Sequence, residues 1–387
     1  MSDEATIVVA PRGARRWRLG HPWIYRSDVA DGDAPAGIVR VTDARGRFLG
    51  RALWSPRSEI RLRRLTADDR PVDADWWRDR LADALARRAG LTPPATAYRV
   101  VHGEGDGLPS LIVDRYGDYV VAQLLSAGLE AARDDVLAAI ETVLAPRGIL
   151  LRNDTSVRRH EGLPLAVEPV RGQVPDAVEV TEGTIRYVAA PHTGQKTGAF
   201  LDQREHHALM GQLARGRALD AFCYHGLFAL HMAAHCDEVL GIEASADALA
   251  AAERNRERNG VAHVRWQEGN AFDVLRTLER AREPFDTIVL DPPAFAKDRG
   301  AVPAALRGYK EINLRALKLL APGGRLFTVS CSFHVSRSMF LTMLAAAAAD
   351  SGRRVMLERV LGQPADHPEL LTVPETGYLK GAVVRVG

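Results

Sequence analysis

The sequence predicts an α/β protein whose C-terminal half is a doubly wound, mostly parallel sheet, preceded by a small all-β module and an α+β segment. Three observations carry this. From about Gln195 onward, short apolar runs alternate strictly with helical segments, the βαβ pattern that builds parallel sheets. One stretch, ALDAFCYHGLFALHMAAHCDEVLGIE (Ala218 to Glu243), reads strand, turn, helix, strand with an acid at the second strand's tip. The length of 387 residues exceeds the usual size of one core, so two or three domains are expected.

Residues up to Thr66 read as all-β: IVVAP, GIVRVTDARGRFLGRALW and EIRLRRL cluster or alternate β-branched residues between Gly, Asp and Pro turns. This module holds 13 arginines against 7 acids, while the whole chain carries 51 basic and 49 acidic residues. The excess suits a polyanion-binding arm. Equally, it reflects arginine standing in for lysine, because all five lysines lie at or beyond Lys196. His21, Pro22, Trp23 and Ile24, with Arg26 close behind, set an aromatic among cations, a surface for stacking and phosphate contact or else a buried Trp.

GHPWIYRSDV, followed by G-x-V-x-V and FLG-x-x-L, resembles the opening of a PUA domain, a small β-barrel found on RNA-modifying proteins. After the link TADDRPVDAD, a helix is expected over Trp76 to Ala89. Two strands around a Gly-rich turn should follow, in YRVVHGEGDGLPSLIVDRYGDYVVAQLL, and then a helix over Leu129 to Leu144. Glu104, Asp106 and Asp114 lie in turn chemistry, where Asp and Gly serve the backbone. VEVTEGTIRYVAA reads as a hairpin leading into the last domain. The expected division is residues 1–68, 69–184 and 185–387.

In the last domain, strands at Leu219, Leu240, Val264, Ile288 and Phe327 are separated by helices, and ligands in such folds bind at the carboxyl ends of the strands. A single glycine, Gly226, follows the first strand. A dinucleotide site needs G-x-G-x-x-G to approach a pyrophosphate, so the turn implies an adenosine cofactor without phosphate, S-adenosylmethionine being the common one. Glu243 is placed to accept from the ribose hydroxyls and Asn270 to meet the adenine edge. Asp291, Pro292 and Pro293 form a rigid corner that presents acceptors to a flat heterocycle. Cys331, in Ser330, Cys331, Ser332 at the tip of the fifth strand, is either a packed small hydrophobe or a nucleophile. A thiolate there suits pyrimidine chemistry, since addition to carbon 6 makes carbon 5 nucleophilic, with Asp291 contacting nitrogen 3 or the amino group.

KTGAFLDQRE, LDAFCYHGLF, LDPPAFAK, RGYKEINLRAL, SCS and ADHP…YLKG together resemble the bacterial PUA-containing 23S rRNA cytosine-5 methyltransferase family, in order along the whole chain. The resemblance implies a Rossmann-like methyltransferase domain and S-adenosylmethionine as cofactor. It assigns cofactor contacts to Asp220, Phe222, Tyr224, Gly226, Glu243, Asn270 and Asp291. Asp202 and Arg204 would flank the cofactor, Arg204 on the methionine carboxylate. Base handling falls to Asp291 and nucleophilic attack to Cys331. RNA contacts fall to His21, Trp23, Arg26, Lys297 and Lys310, with Tyr309 beside them. The implied partner is 23S rRNA or a large-subunit precursor, and a homodimer is compatible. In the family the turn commonly reads Tyr-Thr-Gly-Gly-Phe, whereas here His225 and Leu227 replace the threonine and second glycine, and Leu227 requires a backbone that tolerates a Cβ. Asn270 replaces an acid.

Two other functions fit the same motifs: methylation of a purine or exocyclic nitrogen without a thiol, and a non-catalytic ribosome-assembly factor. Cys223, Cys236 and Cys331 are too scattered for a disulfide framework, and no long apolar run occurs, so a cytoplasmic protein without membrane contact is expected. No metal site is expected. His231 and His235 have helical spacing without a third ligand, and His206 and His207 point to different faces of a helix.

Overall fold

The computed structural model describes residues 4–387. Its N-terminal module is one six-stranded sheet, in the order Trp23–Tyr25, Ile60–Thr66, Phe48–Trp54, Gly37–Asp43, Thr6–Val9, Val29–Asp31. The all-β expectation misses a helix, Pro11–Arg18, which buries Ala14 and Trp17 against that sheet. Proline at its first turn costs no hydrogen bond, and Trp17 anchors it by donating from Nε1 to the Pro22 carbonyl at 2.9 Å.

The middle segment is a five-stranded sheet, in the order Ala166–Gly172, Gly148–Asn153, Tyr119–Leu124, Leu111–Tyr116, Ala97–His102. Helices Ala74–Ala86 and Arg133–Leu144 pack on it. Three strands, not two, come from the Gly-rich region, because Tyr116 to Tyr119 closes a tight hairpin. The buried carboxylates there are structural. Asp106 receives Arg87, Arg88 and the His102 N–H, and Asp114 receives Arg99.

Hairpin Val178–Glu182 with Ile185–Ala189 stands across the expected boundary at 184–185, which therefore cuts its turn. Val178, Val180 and Tyr187 share a core with Tyr116 of the middle sheet and with Leu201 and Leu227 of the last domain.

The last domain contains β1 (Gly216–Ala221), α1 (Leu227–Ala233), β2 (Cys236–Glu243), α2 (Ala246–Arg258), β3 (Val264–Glu268), α3 (Ala271–Ala281), β4 (Phe285–Leu290), α4 (Val302–Leu319), β5 (Leu320–Ser330), α5 (Arg337–Ser351), β6 (Val355–Leu361) and β7 (Lys380–Val386). The sheet order is β3-β2-β1-β4-β5-β7-β6. The first five strands are parallel, with Leu219 facing Leu240 and Ile288, and β7 runs antiparallel between β5 and β6. The order reverses between β1 and β4, so their carboxyl ends diverge into a crevice. All six residues of β4 except Asp286 are buried, as a strand covered on both faces requires. No helix among the described residues is long and apolar enough to cross a membrane.

Candidate active site

At the carboxyl ends of β1, β2, β4 and β5 lies a cavity of about 570 Å³. Its adenosine-sized end is built by the turn after β1. Phe222 (φ 70°), Tyr224 (φ 48°) and Gly226 (φ 79°) all take left-handed backbone, so the turn is held under strain. Glycine is required at 226 because a Cβ there would sit 2.4 Å from Cη2 of Trp266 on β3. The same indole also lies 2.4 Å from where a Cβ on Gly241 would stand. The lone glycine thus admits a tryptophan wedge. Leu227 fits without difficulty as the first residue of α1, with its side chain buried in the core shared with Tyr116 and Leu201.

Glu243 ends β2, and its carboxylate accepts from the N–H groups of Tyr224 (3.1 Å), Ala244 (2.8 Å) and Ser245 (3.0 Å). Three of its roughly four acceptor sites are occupied, so it has room for one ribose hydroxyl, not the two expected. Asn270 caps α3, its Oδ1 accepting from Phe272 N–H at 2.9 Å, which leaves its amide donor for a ligand. Glu243, Asn270, Phe222 and Tyr224 all line the cavity.

At the other end of the cavity stand Asp291 and Cys331. Asp291 accepts from Gln203 Nε2 at 2.8 Å. Burial, and then the charge of Asp202, push its pKa up to about 7. Burial, and then Asp291, push the Cys331 thiol up to about 11, while Lys196 acts in the opposite direction. Lys196 is itself in left-handed backbone (φ 55°). Its ammonium pairs with Asp202 and lies 4.8 Å from the Phe200 ring centre. Although burial opposes it, Lys196 holds Asp202 well below the usual carboxylate range, and Tyr378 donates to the same oxygen at 2.6 Å. The other oxygen, Oδ1, is buried without a partner among the described residues. An unmet anionic acceptor in a cavity whose far end offers Glu243 and Asn270 suits an adenosine carrying a cationic amino-acid arm. The residues present therefore fit S-adenosylmethionine.

Three expected cofactor residues stand elsewhere. Arg204 does not line the cavity; its guanidinium is buried against Asp366 (3.2 Å) and the Pro93 carbonyl (3.2 Å). Asp220 lies beneath the turn, accepting from Ala229 N–H at 3.0 Å, and burial pushes its pKa up to about 7. Gly226 contributes through backbone shape alone. The expected RNA surface also changes. Trp23 donates to Glu104 at 2.8 Å and His21 faces Glu375 at 3.2 Å, so both bind the N-terminal module to the rest of the chain. Arg26 is exposed near Glu59, Lys297 is exposed, Lys310 pairs with Asp350 at 2.7 Å, and Tyr309 is buried.

Residues that sequence spacing overlooked are Lys196, Gln203 and Lys380, whose ammonium donates to the Ser332 carbonyl at 2.6 Å and braces the loop bearing Cys331. The histidines form a cluster that single-helix spacing could not reveal. His207 Nδ1 (2.8 Å) and His231 Nε2 (3.1 Å) both reach Glu182, with ligand atoms within 4.8 Å of one another. Burial opposes the charges, yet Glu182 is held low and His207 raised, the signature of an ion pair tying the hairpin to the helix Arg204–Leu213.

A sheet of order 3-2-1-4-5-7-6, with an acid at the tip of β2 and a methyl-donor cavity at the switch point, defines an S-adenosylmethionine-dependent methyltransferase. A PUA-like domain family matches residues 7–67 and a methyltransferase domain family residues 214–363. A solved methyltransferase complexed with SAH is 19% identical, covering 98% of this chain and 100% of that chain at a TM-score of 0.85. The chain is 39% identical to "Ribosomal RNA large subunit methyltransferase I" of Erwinia tasmaniensis (95% of each chain) and 39% identical to that of Klebsiella pneumoniae (98% of each). It belongs to this family of ribosomal RNA large subunit methyltransferases.

Proposed function

We propose that the protein methylates carbon 5 of a cytosine in 23S ribosomal RNA through a covalent adduct with Cys331. The observation that carries this reading is a free cysteine and a carboxyl of raised pKa lining one cavity with the cofactor-binding turn. The names of the relatives support ribosomal RNA as substrate. Bound S-adenosylmethionine supplies the methyl group. The Cys331 thiolate adds to carbon 6 as protonated Asp291 gives its proton to nitrogen 3, which makes carbon 5 the nucleophile. After methyl transfer, water takes the carbon 5 proton and the sulfur–carbon 6 bond breaks. The proton on nitrogen 3 then returns to Asp291. Lys196 offsets the negative field of Asp291 and Asp202 on the thiol. A target in a paired region must be flipped out to reach the cavity.

Replacing Cys331 by Ala should abolish methylation of 23S rRNA while S-adenosylmethionine binding, measured by calorimetry, is retained. A variant that still forms 5-methylcytidine refutes the adduct. A methyl mark on a purine or exocyclic nitrogen, read by mass spectrometry of digested rRNA, refutes the target atom.

A further inference from the structure

Phe333 is the only Phe, Tyr or Trp among the described residues that is exposed, at 49% of its surface. A large aromatic left in water costs free energy that burial would recover, and this one stands two residues beyond Cys331. The loop that carries it is pinned at Ser332. Ser332 Oγ accepts from Ala296 N–H (3.1 Å) and meets Tyr309 Oη (2.8 Å), and Lys380 holds the Ser332 carbonyl. Val335 N–H closes the turn on that carbonyl at 3.1 Å. The Ala296–Ser332 bond also ties this loop to the Asp-Pro-Pro loop, and the next residue on each side is exposed: Lys297 on one, Phe333 on the other. His334 packs edge-on against the phenyl ring, 5.2 Å between centres, and so steadies one edge. Just outside the cavity lining, two loops joined by the Ala296–Ser332 bond thus each expose the residue that follows that bond, an aromatic on one and a cation on the other.

From this geometry we propose that Phe333 is a stacking platform for an unpaired nucleotide flanking the target base, with Lys297 on its phosphate. Aromatic faces take bases of any kind, and cations beside them hold the backbone. This rests on the RNA-methyltransferase reading above and adds a substrate requirement: the neighbour of the target must be single-stranded, or become so on binding.

The test uses the full-length protein and 23S rRNA stripped of protein, comparing wild type with Phe333→Ala, Phe333→Leu and Phe333→Trp. Equilibrium RNA binding without cofactor and KM and kcat for methyl transfer are both read. Phe333→Ala and Phe333→Leu should weaken RNA binding and raise KM roughly 5- to 100-fold, with kcat and S-adenosylmethionine affinity unchanged and Phe333→Trp close to wild type. If Phe333→Leu behaves as wild type, the ring is not a stacking surface and the proposal fails. An effect seen only on assembled ribosomal particles, and not on naked rRNA, assigns Phe333 to a protein contact and also overturns it. If binding falls as expected but no 5-methylcytidine forms even with wild type, the cytosine reading fails while the platform stands.

Discussion

Replacing Lys196 by Met should make the Cys331 thiol a weaker acid and slow its alkylation. Both residues line one cavity and the ammonium lowers the thiol's pKa; a nearby opposite charge typically shifts a pKa by about 1–3 units. Lys196 already pairs with Asp202, which screens part of that field, so a shift of about one unit upward from the wild-type thiol is expected. Thiolate at fixed pH then falls about tenfold, while each thiolate gains about threefold in nucleophilicity, so alkylation slows by roughly threefold. Iodoacetamide labelling followed at the Cys331 peptide by mass spectrometry reads this directly, since Cys223 and Cys236 are buried. Lys196→Arg should restore the rate. Alkylation that is unchanged or faster in Lys196→Met would refute the role given to this ammonium.

The pH dependence of kcat/KM follows from two opposed groups, Asp291 near 7 and Cys331 near 11. Below 7 the carboxyl is protonated and thiolate is limiting, so the rate should rise tenfold per pH unit; between 7 and 11 the gain in thiolate is cancelled by loss of the acid, giving a plateau. A profile falling steeply from 7 to 9 contradicts this pairing. Glu243→Gln should weaken S-adenosylmethionine binding by about tenfold, a loss of about 1.4 kcal/mol; unchanged affinity by calorimetry would remove Glu243 from the ribose. Asp220→Asn should melt higher than wild type at pH 8 and equally near pH 4. The buried carboxyl has a folded pKa near 7 against an unfolded value of about 3.9, so wild type loses stability as pH rises between these values, by on the order of 4 kcal/mol once above 7.

The five parallel strands and the turn after β1 were legible because apolar runs and helical periodicity repeat along that half of the chain. Cys331 and Asp291 were legible as strand-end residues. The helix Pro11–Arg18 is not: four of its eight residues are arginines, and only the burial of Gly13, Ala14 and Trp17 reveals an inner face. β6 was hidden because its central residues are all exposed and carry no two-residue alternation. Arg204 stands away from the cavity for a different reason. A guanidinium beside a cofactor motif suggests a ligand carboxylate, but its partner Asp366 lies 162 residues later, and no local pattern announces that pair. His207 and His231 stand on two different helices, and spacing within either one is silent about Glu182 on the hairpin, which both reach.

The Trp266 wedge places the memory of the cofactor turn's shape outside the turn. An indole from β3, held by its Nε1 donating to Glu253 at 2.9 Å, fills the space between Gly226 and Gly241. The residues of the turn itself are thereby released to vary, so that histidine and leucine can stand beside Gly226. By the same logic the turn's weak point is remote. A smaller side chain at 266 would free the strained backbone at Phe222 and Tyr224 to relax, and cofactor affinity would drop without any residue of the cavity wall having changed.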